Sequence, residues 1–108
     1  MEVYEPFNNA EEVWFWFCRS LLARGDGLRS RSDYPGKKRG CEIGDISRIL
    51  KIMRQKRLIT NRHLRVMAKW GKLARPPHYE SRASCRDVRL WDYGMYVFDY
   101  FLRLKGIL

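Results

Sequence analysis

Apolar side chains recur at helical intervals in four stretches of the chain, and turn-forming or charged residues separate them. At about 100° per residue, Ala10, Trp14, Phe17, Cys18 and Leu21 fall on one side, with Val13 and Leu22 as shoulders. Asn8 and Asn9 are good N-caps just ahead of that run. Glu11 or Glu12 then stands where a carboxylate reaches back to a free amide or meets the helix dipole, so a helix is predicted to start near Ala10. Trp16 points away from the stripe and needs other cover: the arm from Met1 to Phe7 with its apolar Val3, Tyr4 and Phe7, the next loop, or a subunit contact.

The second run, Ile43, Ile46, Ile49, Leu50 and Met53, predicts a helix from about Glu42 to Gln55. Asp45 lies in its first turn, Arg48, Lys51 and Gln55 lie opposite the stripe, and Arg54 lies on the flank. Leu58 and Ile59 interrupt the period. Thr60 can cap a third helix, with Gly71 as its left-handed C-terminal residue. Leu64, Met67 and Ala68 are expected to face inward. Arg62, Arg65 and Lys69 are expected to face outward, with Asn61 at the edge and Val66 near the middle. Pro76 and Pro77 then bar helix. From Ser81 or Ser84 to about Lys105, before Gly106, a long run aligns Val88, Trp91, Met95, Phe98 and Leu102. Leu90, Val97, Phe101 and Leu104 widen its apolar arc beyond half the circumference, which suits a central strut touching several neighbours. Gly94 beside that stripe predicts close approach of another backbone or a Trp ring. Tyr93, Tyr96 and Tyr100, with Asp92 and Asp99, lie on the less buried side and offer either a dimer interface or an ordinary amphipathic surface.

These patterns predict an all-α fold: one small four-helix domain over residues 1–108, with a central helix-turn-helix-like hairpin and a long C-terminal core helix. Residues 24–41, with Gly25, Gly27, Gly36 and Gly40 and several cations, read as a basic irregular loop. With 108 residues, 45% hydrophobic and 14% aromatic, the chain has enough apolar surface for a core.

Charge sharpens the picture. Between Asp45 and Glu80 there is no acid, yet ten of the 22 Lys and Arg residues fall there, namely Arg48, Lys51, Arg54, Lys56, Arg57, Arg62, Arg65, Lys69, Lys72 and Arg75. The other twelve meet twelve Asp and Glu residues, so the formal +10 belongs to this window. Solvated helices ordinarily intersperse Glu with Lys; a cationic surface without acids is the footprint of a polyanion site. Helix, turn and basic helix in that order is the layout of a helix-turn-helix. Asn61, Arg62, Arg65, Val66 and Lys69 are the candidate base contacts, because Arg forks onto guanine, Asn onto adenine, and an aliphatic group meets the thymine methyl. Arg54, Lys56, Arg57, Lys72 and Arg75, with Lys37, Lys38 and Arg39 of the loop, are the candidate phosphate contacts.

Other chemistries find little support. Cys18, Cys41 and Cys85 are odd in number and widely spaced, without a zinc or disulfide pattern, and read as reduced thiols of a cytoplasmic protein. The run Val13 to Cys18 is far too short to span a bilayer, and neither membrane nor cofactor is expected. His63 and His78 lack a carboxylate or thiol at catalytic spacing, so no enzyme is expected. His63 reads as a packing residue or phosphate donor, and Trp70 as the seal of the following junction. The leading expectation is a small DNA-binding transcriptional regulator, with a homodimer reading two half-sites as one option. The alternative is a protein-interaction or RNA-binding module whose basic face meets an acidic partner, RNA being favoured if Trp70 and Tyr79 prove exposed.

The order Leu58, Thr60, His63-Leu64-Arg65, Trp70-Gly71 and Pro76-Pro77, with Leu90-Trp91 and the Lys105-Gly106-Ile107 ending, resembles a group of small basic bacterial proteins. That resemblance covers most of the chain and implies a bacterial source and a shared fold. It brings no activity or binding residues with it.

Overall fold

The structure is a computed structural model that describes residues 6–25, 41–78 and 82–108. Four helices follow one another, α1 Ala10–Gly25, α2 Ile43–Gln55, α3 Asn61–Leu73 and α4 Arg82–Leu104. No strand occurs among the described residues, so the fold is all-α. Helix α1 runs through Gly25, two residues into the segment expected to be irregular; residues 26–40 of that loop lie outside the described residues, as do Val3, Tyr4 and Tyr79.

The starts of α1, α2 and α3 are set by side chains. The Asn9 Oδ1 accepts the Glu12 amide at 2.8 Å while the Glu12 carboxylate accepts the Asn8 amide at 2.8 Å, a reciprocal cap that satisfies otherwise free donors. At α2 the Asp45 carboxylate takes the Glu42 amide at 2.8 Å. Three helices end in the same way. The amides of Leu58, Arg75 and Ile107 return to the carbonyls of Met53, Trp70 and Leu102 at 3.0, 3.3 and 2.9 Å, each across a residue of positive φ: Arg57, Ala74 and Gly106. These are Schellman turns. Gly106 plays the part its sequence position predicts. Gly71 does not, because α3 continues past it to Leu73 and the left-handed residue is Ala74.

Helix α4 is the strut: it packs against α1, α2 and α3, with Val88, Trp91, Met95, Phe98 and Leu102 all buried. Ile46, Ile49 and Met53 are the buried stripe of α2, and Val13, Trp14, Phe17 and Cys18 that of α1. Leu21, Leu22, Ala68 and Leu104, all expected to face inward, are exposed. Trp16 meets Phe7 edge to face at 5.4 Å, so the arm is its cover.

Indole groups fasten the elements across the chain. Trp91 Nε1 donates to Glu11 at 2.9 Å, and Trp70 Nε1 to Asp87 at 2.8 Å. Trp14 Nε1 donates to the main-chain carbonyl of Met67 at 2.8 Å within the core. The intrahelical donor for that carbonyl is the amide four residues on, at Gly71. A Cβ there would stand 2.8 Å from the indole nitrogen and would collide with the Cys18 sulfur. At Gly94 the close neighbour is the Met67 thioether, 2.7 Å from where a Cβ would lie, so a flexible side chain takes the place of the backbone or ring expected from sequence.

Gly71→Ala therefore destabilises the protein by about 1–3 kcal/mol through overpacking, measured by urea unfolding, and Cys18→Ala in the same chain recovers part of the loss. A glycine that merely loosened the helix would give the opposite sign, since Ala gains about 1 kcal/mol over Gly in a helix interior.

Candidate nucleic-acid interface

Helix α3 begins with an unusual cap. Thr60 is its N-cap, and the ring of His63, three residues on, takes the role usually filled by Glu or Gln. His63 Nδ1 lies 3.0 Å from both the Thr60 amide nitrogen and the Thr60 hydroxyl. Accepting from that amide requires an unprotonated Nδ1. The half-buried ring rests against Tyr93 of α4, centroids 5.2 Å apart. Burial first, and the Arg62 guanidinium second, hold His63 below its ordinary 6.5. Sequence reasoning expected a packing residue; the second role, as a cap, carries no signal in the usual capping pattern.

With its start fixed, α3 turns Met67, Trp70 and Gly71 inward and leaves Asn61, Arg62, Arg65, Lys69 and Lys72 exposed. Val66 is not with them. It is buried at 9% exposure, because residues four apart share a helix face and Trp70 is drawn into the seam with α4. Val66 cannot offer a methyl group to a base, and that part of the expected contact set is corrected.

Asp87 explains the hold on Trp70. Its Oδ2 accepts the indole N–H and lies 3.0 Å from Lys69 Nζ. Lys69 Nζ and Arg75 Cζ also approach the Trp70 ring, 5.1 and 5.5 Å from its centroid, as cations do over an indole face. Trp70 is thus a buried seal, which removes it as a stacking surface for single strands. Lys69 must give up Asp87 before it can reach a ligand. Asp87 itself drew no attention in the sequence, since nothing local links it to residues seventeen and eighteen positions earlier.

The wider basic surface has a clear composition. Of the ten cations between Asp45 and Glu80, Arg48 pairs with Asp45 at 2.9 Å and Lys69 with Asp87. Lys51, Arg54, Lys56, Arg57, Arg62, Arg65, Lys72 and Arg75 are all exposed and form no ion pair among the described residues. They sit on α2, on the 56–60 connection, on α3 and just beyond it. Buried Ile59 anchors that connection. At its tip Arg57 holds φ 59°, a left-handed conformation that costs a non-glycine residue about 1 kcal/mol or more. Helices α2 and α3 do not pack on each other: no Cα of one comes within 8 Å of a Cα of the other, and each is held by α1 and α4. The order helix, turn, helix is present, but the two helices do not approach each other closely. Lys37, Lys38 and Arg39 lie outside the described residues, and His78 is exposed.

Among the described residues no group of His, Cys, Asp and Glu converges as metal ligands would. Burial pushes the Cys18 thiol up to about 11, against a smaller opposing pull from Lys72, so it stays protonated at neutral pH. No helix among the described residues is long and apolar enough to cross a membrane. No family model, curated protein or solved structure matches the chain, so the functional reading rests on these side chains.

The cap makes stability depend on pH with a definite sign. A histidine held below 6.5 in the native state contributes its stability above that pH and loses it as pH falls further. Asp45, held below 3.8 by the Glu42 amide and then by Arg48, loses its contribution only at lower pH. Denaturant unfolding at steps between about pH 7.5 and 5 should show declining stability. His63→Gln, which keeps a capping acceptor without a proton to gain, should flatten that decline.

Proposed function

We propose that this protein binds nucleic acid, duplex DNA foremost, through the outward face of α3 and the connection before it, in the manner of a small transcriptional regulator. The observation that carries this reading is the set of eight exposed cations that form no ion pair among the described residues, drawn from a stretch of sequence without an acid between Asp45 and Glu80. Such a surface repels itself in the free protein and gains by displacing the counterions condensed on a phosphate backbone.

Roles divide by chemistry. Arg62 and Arg65 present guanidinium forks suited to guanine, and Asn61 an amide suited to adenine. Arg54, Lys56, Arg57, Lys72 and Arg75 hold phosphates and set register without reading sequence. Lys69 joins either set once it parts from Asp87. Because α2 and α3 are held separately by α1 and α4, the α3 face acts as the inserting element, while α2 and Arg57 follow the backbone.

Three measurements test this. Affinity for duplex DNA should fall with salt along a log-log slope of about −4.5, which is roughly −0.9 for each of the five phosphate-directed cations; salt-independent binding overturns the reading. Arg62→Glu with Arg65→Glu should abolish binding while leaving the helical circular dichroism intact. Arg57→Gly should separate the two properties of that position, raising stability by up to about 1 kcal/mol through relief of the left-handed strain while weakening DNA binding.

A further inference from the structure

The nucleic-acid reading leaves one exposed face idle. On α4, Tyr93, Tyr96, Tyr100 and Leu104 follow at steps of three and four residues and so share one side of the helix. Their exposures are 44%, 74%, 59% and 63%. Tyr96, Asp99, Tyr100, Arg103 and Leu104 wall an open depression of about 370 Å³. The acid in it is already taken, since Arg103 Nε lies 2.9 Å from the Asp99 carboxylate. Tyr100 is braced edge-on by Phe101, centroids 5.3 Å apart. The upper end of the row adjoins the start of α3, where His63 packs on Tyr93 next to exposed Arg62.

We propose that this tyrosine row is a stacking platform for unpaired nucleobases, so that the protein also holds a single strand along α4. The proposal rests on the nucleic-acid reading and adds a second face to it. Charge selects the occupant. Arg86 and Arg89 are exposed on the same helix and Arg62 stands at its upper end, whereas Arg103 is already paired with Asp99, and Asp92 is the exposed acid of this helix left without an ion pair among the described residues. A second copy would set the same row against itself, with Arg86 and Arg89 facing their own kind, whereas a phosphodiester strand brings the opposite charge. Geometry agrees. A rise of about 1.5 Å per residue places the rings roughly 4.5 and 6 Å apart along the axis, wider than the ~3.4 Å between stacked nucleotides of a duplex strand. That spacing is compatible with the more widely separated bases of an opened strand, with Tyr96 and Tyr100 the rings not packed on His63. Tyrosine faces accept any base, so the platform is indifferent to sequence.

The test uses the full chain in anisotropy titrations at fixed salt against oligothymidylate, oligouridylate and a duplex, each about 20 nucleotides long, which covers one or two typical single-strand sites. Tyr96→Ala with Tyr100→Ala should weaken binding to single strands roughly tenfold or more and leave duplex binding near that of the parent. Tyr96→Phe with Tyr100→Phe, which keeps the rings, should retain the affinity. Comparison of the thymidine and uridine arms then assigns the platform to DNA, RNA or both. If the Ala variant binds single strands as the parent does, the inference is overturned while the α3 reading stands. The same holds if the Ala changes convert a dimer to a monomer without touching single-strand affinity, which would make the row a self-association surface. A parent that binds none of the three probes removes both readings together.

Discussion

The orientation of α3 depends on one hydrogen bond in the core, from the Trp14 indole to the main-chain carbonyl of Met67. A buried indole N–H without an acceptor costs on the order of 1–3 kcal/mol, and most acceptors inside a helical protein are already bonded within their own helices. The Met67 carbonyl has a second lone pair. It can be reached because Gly71, whose amide takes the first, has no side chain to bar the way. The pairing of Trp14 with Gly71 thus determines how closely α1 approaches α3 and which side of α3 is turned inward. Trp70, drawn toward Asp87, fixes the other edge of that buried arc. What remains outward is Asn61, Arg62, Arg65, Lys69 and Lys72. The basic face is therefore positioned by aromatic contacts on its opposite side.

The same fastening explains why α2 and α3 part company. Each finds its apolar partners on α4 and α1, and the 56–60 connection is tied down by Ile59 and by the Leu58 amide on Met53. Neither helix needs the other.

Much of this was legible in the sequence wherever a period of 3.6 residues operates on large side chains. The buried faces of α2 and α4, the caps at Asn9 and Thr60 and the sealing role of Trp70 all follow from local pattern, whereas local pattern leaves the cover over Trp16 open between the arm, the next loop and a subunit contact. Errors fell where one residue type serves two purposes. A glycine after a basic helix reads as a terminus, but the same missing Cβ admits the Trp14 indole, and only the tertiary contact decides between them. Val66 sits at the border of the α3 stripe, where a modest rotation sends a side chain in or out. Leu21, Leu22 and Leu104 continue the apolar pattern past the point where a neighbour covers it. Asp87 was invisible for a different reason. Its importance is that it accepts from Trp70 and lies beside Lys69, and the pairing is made by α3 lying antiparallel against α4, with His63 by Tyr93 and Trp70 by Asp87.

Asp87 also bears on how the surface works. A carboxylate that is only 16% exposed and already receives an indole N–H has little freedom to move, so the ammonium of Lys69 is the mobile member of the pair. At 58% exposure that ammonium pays little desolvation in either position, while the more buried carboxylate loses part of its charge compensation when the ammonium departs. An approaching phosphate has to compete with Asp87 for Lys69, whereas Arg62, Arg65 and Lys72 have no partner among the described residues to abandon. If Lys69 leaves, Trp70 keeps its own bond to Asp87 and the α3–α4 seam stays closed. The carboxylate thus separates two tasks that share one helix: it keeps the buried edge of α3 rigid and leaves the outer edge free to exchange partners.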